Sequence, residues 1–307
     1  MNLIAGIIMA AIGFIVAVLG AFKVVHGLTG TGILMLLAGG LIIGLSFVSP
    51  PEPDETERMS TPATLVNIFF APADVFRNLR SHPRWLVALL IMSALSAAYY
   101  NLFMYHLTPD RVTNYAIDKT MEVSFIPDER KKQIEENRPQ AIADAKNPII
   151  SGGQAVSGFA GSMLLYAFGS AIFLLFALAM GGKINFFQSL SVLIYASFPI
   201  AVLRFILNSI ILFIKDPTDI HPITGQRSLI QDNLNFLVLP AEHPVIYTIL
   251  GSLSLLAFYW VWLNGIGLKN AGEKVTGSIA WTSALSVYGI LVLLGVILAF
   301  LFPSFIS

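Results

Sequence analysis

The 307-residue chain is 56% hydrophobic and 12% charged, about half the charge of an ordinary soluble domain. Its 18 basic and 18 acidic residues balance to zero, so no electrostatic attraction marks it for nucleic acid. The lack of cysteine excludes disulfides, thiolate metal sites and cysteine nucleophiles.

Seven long apolar stretches follow one another: Leu3–Phe22, Thr31–Val48, Trp85–Tyr105, Gly158–Met180, Phe187–Ile214, Val245–Leu268 and Ile279–Phe302. A helix crossing the hydrocarbon core needs about 20 apolar residues, more than a buried soluble helix usually has. The chain therefore reads as an all-α, polytopic (multi-pass) integral membrane protein of seven spans. Its expected parts are a transmembrane hairpin over 1–48, a linker over 49–84, and a five-span membrane domain over 85–302.

The first stretch has no Lys or Arg before it and no small-residue cleavage pattern after it, so it reads as an uncleaved span. Gly6, Ala10, Gly13, Ala17 and Gly20 recur at spacings of four and three, which puts small residues on one helix face. Gly40 and Gly44 give the second helix a G-x-x-x-G edge. These edges predict closure of the hairpin on itself, with dimerisation between chains as the competing use.

In the linker, Pro50–Glu57 is proline-rich and acidic and predicts an extended tether. Ser60-Thr61-Pro62 then has the form of a helix start, a hydroxyl cap followed by proline in the first turn. Leu65, Ile68 and Phe69, then Val75, Phe76 and Leu79, recur at helical spacing, broken at Pro72 and accompanied by Arg77, Arg80 and Arg84. Apolar residues beside a basic cluster predict an amphipathic interfacial segment on the inner leaflet. A connector packed on the bundle is the alternative.

Several motifs carry a family resemblance. Phe69-x-x-Pro72-x-x-x-Phe76-x-x-Leu79-x-x-x-Pro83-x-Trp85 is similar to the leading segment of prokaryotic members of the Yip-domain family, relatives of the Ypt/Rab-interacting membrane proteins. Gly181-Gly182-x-x-x-Phe186-x-x-x-Leu190, followed by Tyr195-Ala196 and Pro199, resembles that family's tight turn and next span. Trp262-Leu263 with Gly265 and Gly267 resembles its penultimate span. The resemblance covers about 65–302, five spans, and leaves the hairpin 1–48 outside. Read physically, Gly181-Gly182 ends a helix, Pro199 kinks one, and Trp85, Trp260 and Trp262 are candidate headgroup anchors.

Two outer loops are expected, 106–157 and 215–244. In the first, Thr108-Pro109-Asp110 and Pro127-Asp128-Glu129 read as helix starts, and Pro139 interrupts the charged run between Asp128 and Lys146. A solvated helical excursion is expected there. The second loop carries Pro217, Pro222, Pro240 and Pro244 and reads as irregular.

Arg77, Arg80 and Arg84 directly before the third span place that side in the cytoplasm. Alternation then puts Lys183, Lys269 and Lys274 inside, Lys23, Lys215 and Arg227 outside, the N-terminus inside and the C-terminus outside. The loop 106–157 carries seven basic residues on the outer side, balanced by eight acidic ones. For a prokaryotic chain the membrane is the inner one.

Enzymatic patterns are lacking: there is no H-E-x-x-H, G-x-S-x-G or G-x-x-x-x-G-K-[ST]. His26, His82, His106, His221 and His243 fall at span ends or in loops without metal-ligand spacing, and no acidic residue sits in a span. No cofactor, no metal and no catalysis are expected.

Arg204 is the exception within the spans. It lies 11 residues before Lys215, about 16 Å from that end at 1.5 Å per residue. A charge there costs at least about 2.5 kcal/mol on the permissive insertion scale. Asn208 is one turn away and Asn264 a cross-helix candidate. These three form a candidate lipid or anion site, or a structural polar cluster.

The expected function, implied by the resemblance, is a non-enzymatic membrane-organising, trafficking-type adaptor. It would act through helix packing, contact with membrane lipids and docking of an unidentified membrane or cytoplasmic protein, with homo-oligomerisation left open. The alternative is a small-solute or lipid transporter centred on Arg204, although no internal repeat of the transporter kind is evident.

Overall fold

The computed structural model describes residues 2–22, 28–48, 57–123 and 126–303; Lys23, His26 and most of the Pro50–Glu57 tether lie outside the described residues. Within them every regular element is helical. The chain forms two compact units, one of residues 1–94, 153–200 and 259–288, the other of 95–152, 201–258 and 289–307.

The first unit begins with α1 (Asn2–Ala21) and α2 (Leu28–Val48), packed against each other as a hairpin. The buried residues of α1 include Gly6, Met9, Gly13, Val16 and Gly20, and those of α2 are Leu28, Gly32, Met35, Gly39 and Ile42. Both sets alternate steps of three and four, the 3.5-residue period of helices that wrap with a left-handed twist. The glycines bring the backbones together. A Cβ on Gly13 would lie 2.6 Å from the Leu36 nitrogen, and one on Gly39 the same distance from the Ala10 nitrogen. Gly40 and Gly44 do not take part: both are exposed, with open space where a side chain would go. The edge of α2 that closes the hairpin is therefore Gly32 and Gly39 and not Gly40 and Gly44. A partner whose glycines recur every seven residues is met by Gly32 and Gly39, which share that repeat; Gly40 and Gly44, four apart, drift off the seam.

The linker forms α3 (Thr61–Asn67) and α4 (Pro72–Ser81), both opened by proline in the first turn. Ser60 caps α3 by accepting from the Ala63 N–H at 3.3 Å. The face expected to meet lipid meets protein instead. Ile68, Val75, Phe76 and Leu79 are fully buried, and a Cβ on Gly267 would lie 2.6 Å from Val192 Cγ1 and 3.1 Å from the Phe76 ring. Packing on the bundle removes this stripe from water more completely than a leaflet surface would, so the segment is a docked connector. Phe70 and Val66 remain exposed.

Long helices supply the remaining spans: α5 (Leu86–Leu107), α9 (Pro148–Ala179), α10 (Phe186–Ile214) and α14 (Gly277–Leu301). The sixth expected span is broken. It consists of α12 (Pro244–Ser252) and α13 (Leu255–Ala271), bent by 50° at the break. The α9 helix starts ten residues before its apolar stretch, because Ser151, Gly152, Gly153 and Gln154 dilute hydropathy without ending the helix. Its 32 residues give about 48 Å at 1.5 Å per residue, longer than a bilayer core. Counting the bent pair as one, the described residues hold seven helical segments able to cross a membrane.

The second unit contains the polar excursions. They form α6 (Pro109–Met121), α7 (Asp128–Glu136), α8 (Arg138–Lys146) and the single turn α11 (Thr224–Arg227). Thr108 does not cap α6; it adopts φ +68° and its hydroxyl makes no cap bond. Tyr99, Phe103, Leu107, Val112, Leu212 and Ile220 form this unit's core. The Tyr99 hydroxyl donates to the Gly225 carbonyl at 2.7 Å, and the Arg111 guanidinium donates to the Pro217 and Ile220 carbonyls, which fixes the loop after α10.

Candidate functional site

A polar cluster lies at the start of α5, around a residue that the sequence puts in the basic cluster of an interfacial segment. Arg84 is 5% exposed. Its Nη2 donates to the Thr64 hydroxyl and to Asn78 Oδ1 at 3.1 Å. Both acceptors are held in place. Thr64 donates to the Ser60 carbonyl at 2.8 Å, and Asn78 receives the Met59 N–H at 3.3 Å while donating to the Glu57 carbonyl at 3.0 Å. One guanidinium nitrogen thus ties residues 57–64 to α4.

The other two guanidinium nitrogens, Nε and Nη1, are buried without a hydrogen-bond partner among the described residues, and so is the indole nitrogen of Trp85, which is 1% exposed. Two of the five guanidinium N–H groups make these bonds, and the Tyr195 hydroxyl lies close against the guanidinium. Burial pushes the Arg84 guanidinium below its ordinary value; the nearby Tyr195 hydroxyl opposes this, and the charge of Arg58 adds to it. A cavity of about 180 Å³ adjoins this cluster, lined by Arg84, Trp85 and Tyr195 and by the apolar Ile4, Ile8 and Val87, the last three exposed. Trp85 is accordingly a buried wall residue and not a headgroup anchor. Trp260 is half-buried: its Nε1 donates to Ser197 at 3.0 Å, and Ser197 donates on to the Leu193 carbonyl. Trp262 is exposed and stacks on Tyr259 at 5.8 Å.

The other motif residues are structural. Phe69 meets Phe198 edge-on at 6.2 Å. Pro83 lies between the end of α4 and the start of α5. Gly181 takes φ +82° and closes the end of α9 with the Gly182 N–H on the Ala177 carbonyl at 2.8 Å. A Cβ on Gly182 would strike that same carbonyl, whereas Gly181 has open space around it and is held to glycine by its left-handed φ. Next, Asn185 and Gln188 cap the start of α10 reciprocally, each side chain accepting the other's backbone N–H at 2.9 Å. Gln188 also donates to the Arg80 carbonyl at 2.8 Å, which locks α4 to α10 beside Phe186. Lys183 pairs with Glu273, whose N–H donates to the Lys183 carbonyl at 2.9 Å. Pro199 lies inside α10, which continues through it.

Of the candidate polar residues, Arg204 and Asn208 belong to the second unit and Asn264 to the first. Arg204 is exposed on α10, and its side chain makes no hydrogen bond with a described residue. Asn208 is buried and committed to the loop, its Oδ1 receiving the Leu229 N–H at 2.8 Å and the Ile230 N–H at 3.2 Å. Asn264 donates to Trp260 of its own helix at 2.8 Å.

One carboxylate was not foreseen. Asp232 accepts from the Ser254 hydroxyl and from the Leu256 N–H at 3.0 Å, so it caps α13 at the break in the sixth span. Its sequence position in an irregular loop gave no hint; an acid placed to satisfy free N–H groups at a broken helix is the relevant signal. Among the described residues no group of His, Asp and Glu has the arrangement of a metal site.

One family model matches this chain, that of the Yip1 domain, over residues 66–301, from α3 to the end of α14. No curated protein and no solved structure matches it.

Proposed function

The chain belongs to the Yip1 domain family, and from that premise we propose that it is a non-enzymatic membrane-organising adaptor. It would work through helix packing, lipid contact and docking of a membrane or cytoplasmic protein. The observation that carries this reading is the family match, which runs through the docked linker and all five following spans. The chemistry found is consistent with it. Polar side chains cap helices and tie loops.

The transporter reading loses its centre, because Arg204 is exposed and Asn208 holds a loop. The broken sixth span has the outline of a transporter's half-helix, whose free N-terminus would receive an anionic substrate. Here Asp232 already occupies that position.

In the proposed orientation the turns at 180–185 and 272–276, which meet through Lys183 and Glu273, are cytoplasmic together with the linker, and loops 106–157 and 215–244 are outside. Cysteines introduced singly at Glu55, Gln133 and Ser307 of this cysteine-free chain report it. In intact cells an impermeant thiol reagent is expected to label positions 133 and 307 and to spare 55. Labelling of 55 and not of 133 reverses the orientation. The adaptor role is checked by crosslinking in native membranes: a defined protein partner at fixed stoichiometry supports it, and solute uptake by reconstituted vesicles overturns it.

A further inference from the structure

We propose that the cavity beside Arg84 holds the anionic headgroup of a membrane lipid. The inference rests on the membrane-lipid contact of the reading above and gives it a place. Arg84 is buried, and three of its N–H groups, on Nε and Nη1, have no partner among the described residues. Unsatisfied buried donors on a charged group are expensive, and in folded proteins they are met by a bound group more readily than left empty. Phosphate oxygens fit the planar fork of a guanidinium, two at a time.

Three further observations point the same way. Trp85 walls the same cavity, and its buried indole N–H is likewise unpartnered among the described residues. A second cation, Arg58, is near enough to act on the Arg84 charge, so the local field favours an anion. Ile4, Ile8 and Val87 are exposed and line the cavity, which makes its mouth apolar, as an acyl chain requires and a free hydrophilic anion does not. The volume of about 180 Å³ is below the roughly 300–1,000 Å³ of small-molecule pockets. It suits a charged head and its first methylenes, with the tail left in the bilayer. Arg84 stands just before α5 and Asn2 opens α1, so the site lies at span ends, where headgroups are found.

The test uses the purified full-length chain in neutral detergent, with thermal unfolding followed as phosphatidylglycerol, phosphatidylcholine or inorganic phosphate is added. Phosphatidylglycerol is expected to raise the midpoint, and the other two to leave it in place. Arg84→Gln is expected to weaken the apparent affinity by about tenfold or more, since it removes a charge-assisted bidentate contact. Arg84→Lys should fall between, keeping charge but not the fork. Ile8→Trp fills the cavity mouth and leaves the Arg84 bonds to Thr64 and Asn78 intact, so it decides the matter even if Arg84→Gln does not fold; it too should lose the response. An equal response to phosphatidylcholine, a response to inorganic phosphate at the same concentration, or an undiminished phosphatidylglycerol response in Ile8→Trp overturns the proposal. None of these outcomes bears on the protein partner, so failure here and failure of the adaptor reading are separable.

Discussion

Arg84 and Arg204 exchange the roles their sequence positions suggest. Arg84 sits in a run of basic residues at a span's edge, where a guanidinium normally reaches headgroups and water, and it is buried. Arg204 sits in the middle of an apolar helix, where burial with a partner is the usual explanation, and it is exposed and unbonded to any described residue. What separates them is the neighbouring chain. Segment 57–81 supplies Thr64 and Asn78 to Arg84, whereas no described residue bonds the Arg204 side chain. Linear depth in a span sets a charge's cost, but the next element in space decides whether that cost is met.

The largest expected effect comes from Arg84→Met. It removes two hydrogen bonds from a charged donor, worth about 1.5–3 kcal/mol each, against some relief of desolvation, for a net loss of about 2 kcal/mol. Because Nη2 ties residues 57–64 to α4, the loss should appear locally as well as globally. Limited proteolysis is expected to cut within 57–71 in the variant and not in the parent, beside a lowered unfolding midpoint. Protection equal to the parent's would mean that the buried apolar residues of α4 alone hold the linker.

A smaller effect, within the same helix as Arg204, comes from Asn208→Ala. The change strands the Leu229 N–H, while Ile230 keeps the Ser228 hydroxyl as acceptor. One part-buried orphan donor costs about 1 kcal/mol, the low end of the range for unsatisfied groups. Hydrogen exchange at residues 228–230 should quicken before the rest of the chain. An unchanged rate there would remove Asn208 as the anchor of this loop.

These contrasts show what could be read in advance. Span number, the Ser60 cap, the break at Pro72 and the helical character of 109–146 follow from hydropathy and local chemistry, which act within a few residues. The seam of α2 was legible in principle: Gly6, Gly13 and Gly20 repeat every seven residues, and only Gly32 and Gly39 match that repeat. The burial of Arg84 and Trp85 and the capping by Asp232 were not legible. Each depends on a group 20 or more residues away, Thr64 for Arg84 and Leu256 for Asp232, and no local period encodes such a pairing. The docked face of α4 shows the same limit, since one apolar stripe suits a leaflet or a bundle equally well until Gly267 is seen to make room for Phe76.

The smallest expected effect is at Arg204, and it is the sharpest check on the contrast. With no described partner to strand, Arg204→Leu exchanges an exposed guanidinium for a side chain that hydrocarbon prefers. The unfolding midpoint in detergent should stay level or rise slightly, and the phosphatidylglycerol response assigned to Arg84 should be unaltered. A snorkelling Arg204 would also tie α10's depth to the headgroups, so in vesicles the Leu variant should let a fluorophore at Phe213 report a small change in burial. A marked loss of stability would show that Arg204 has a partner in the membrane after all, and would return it to the role that its depth in the sequence first suggested.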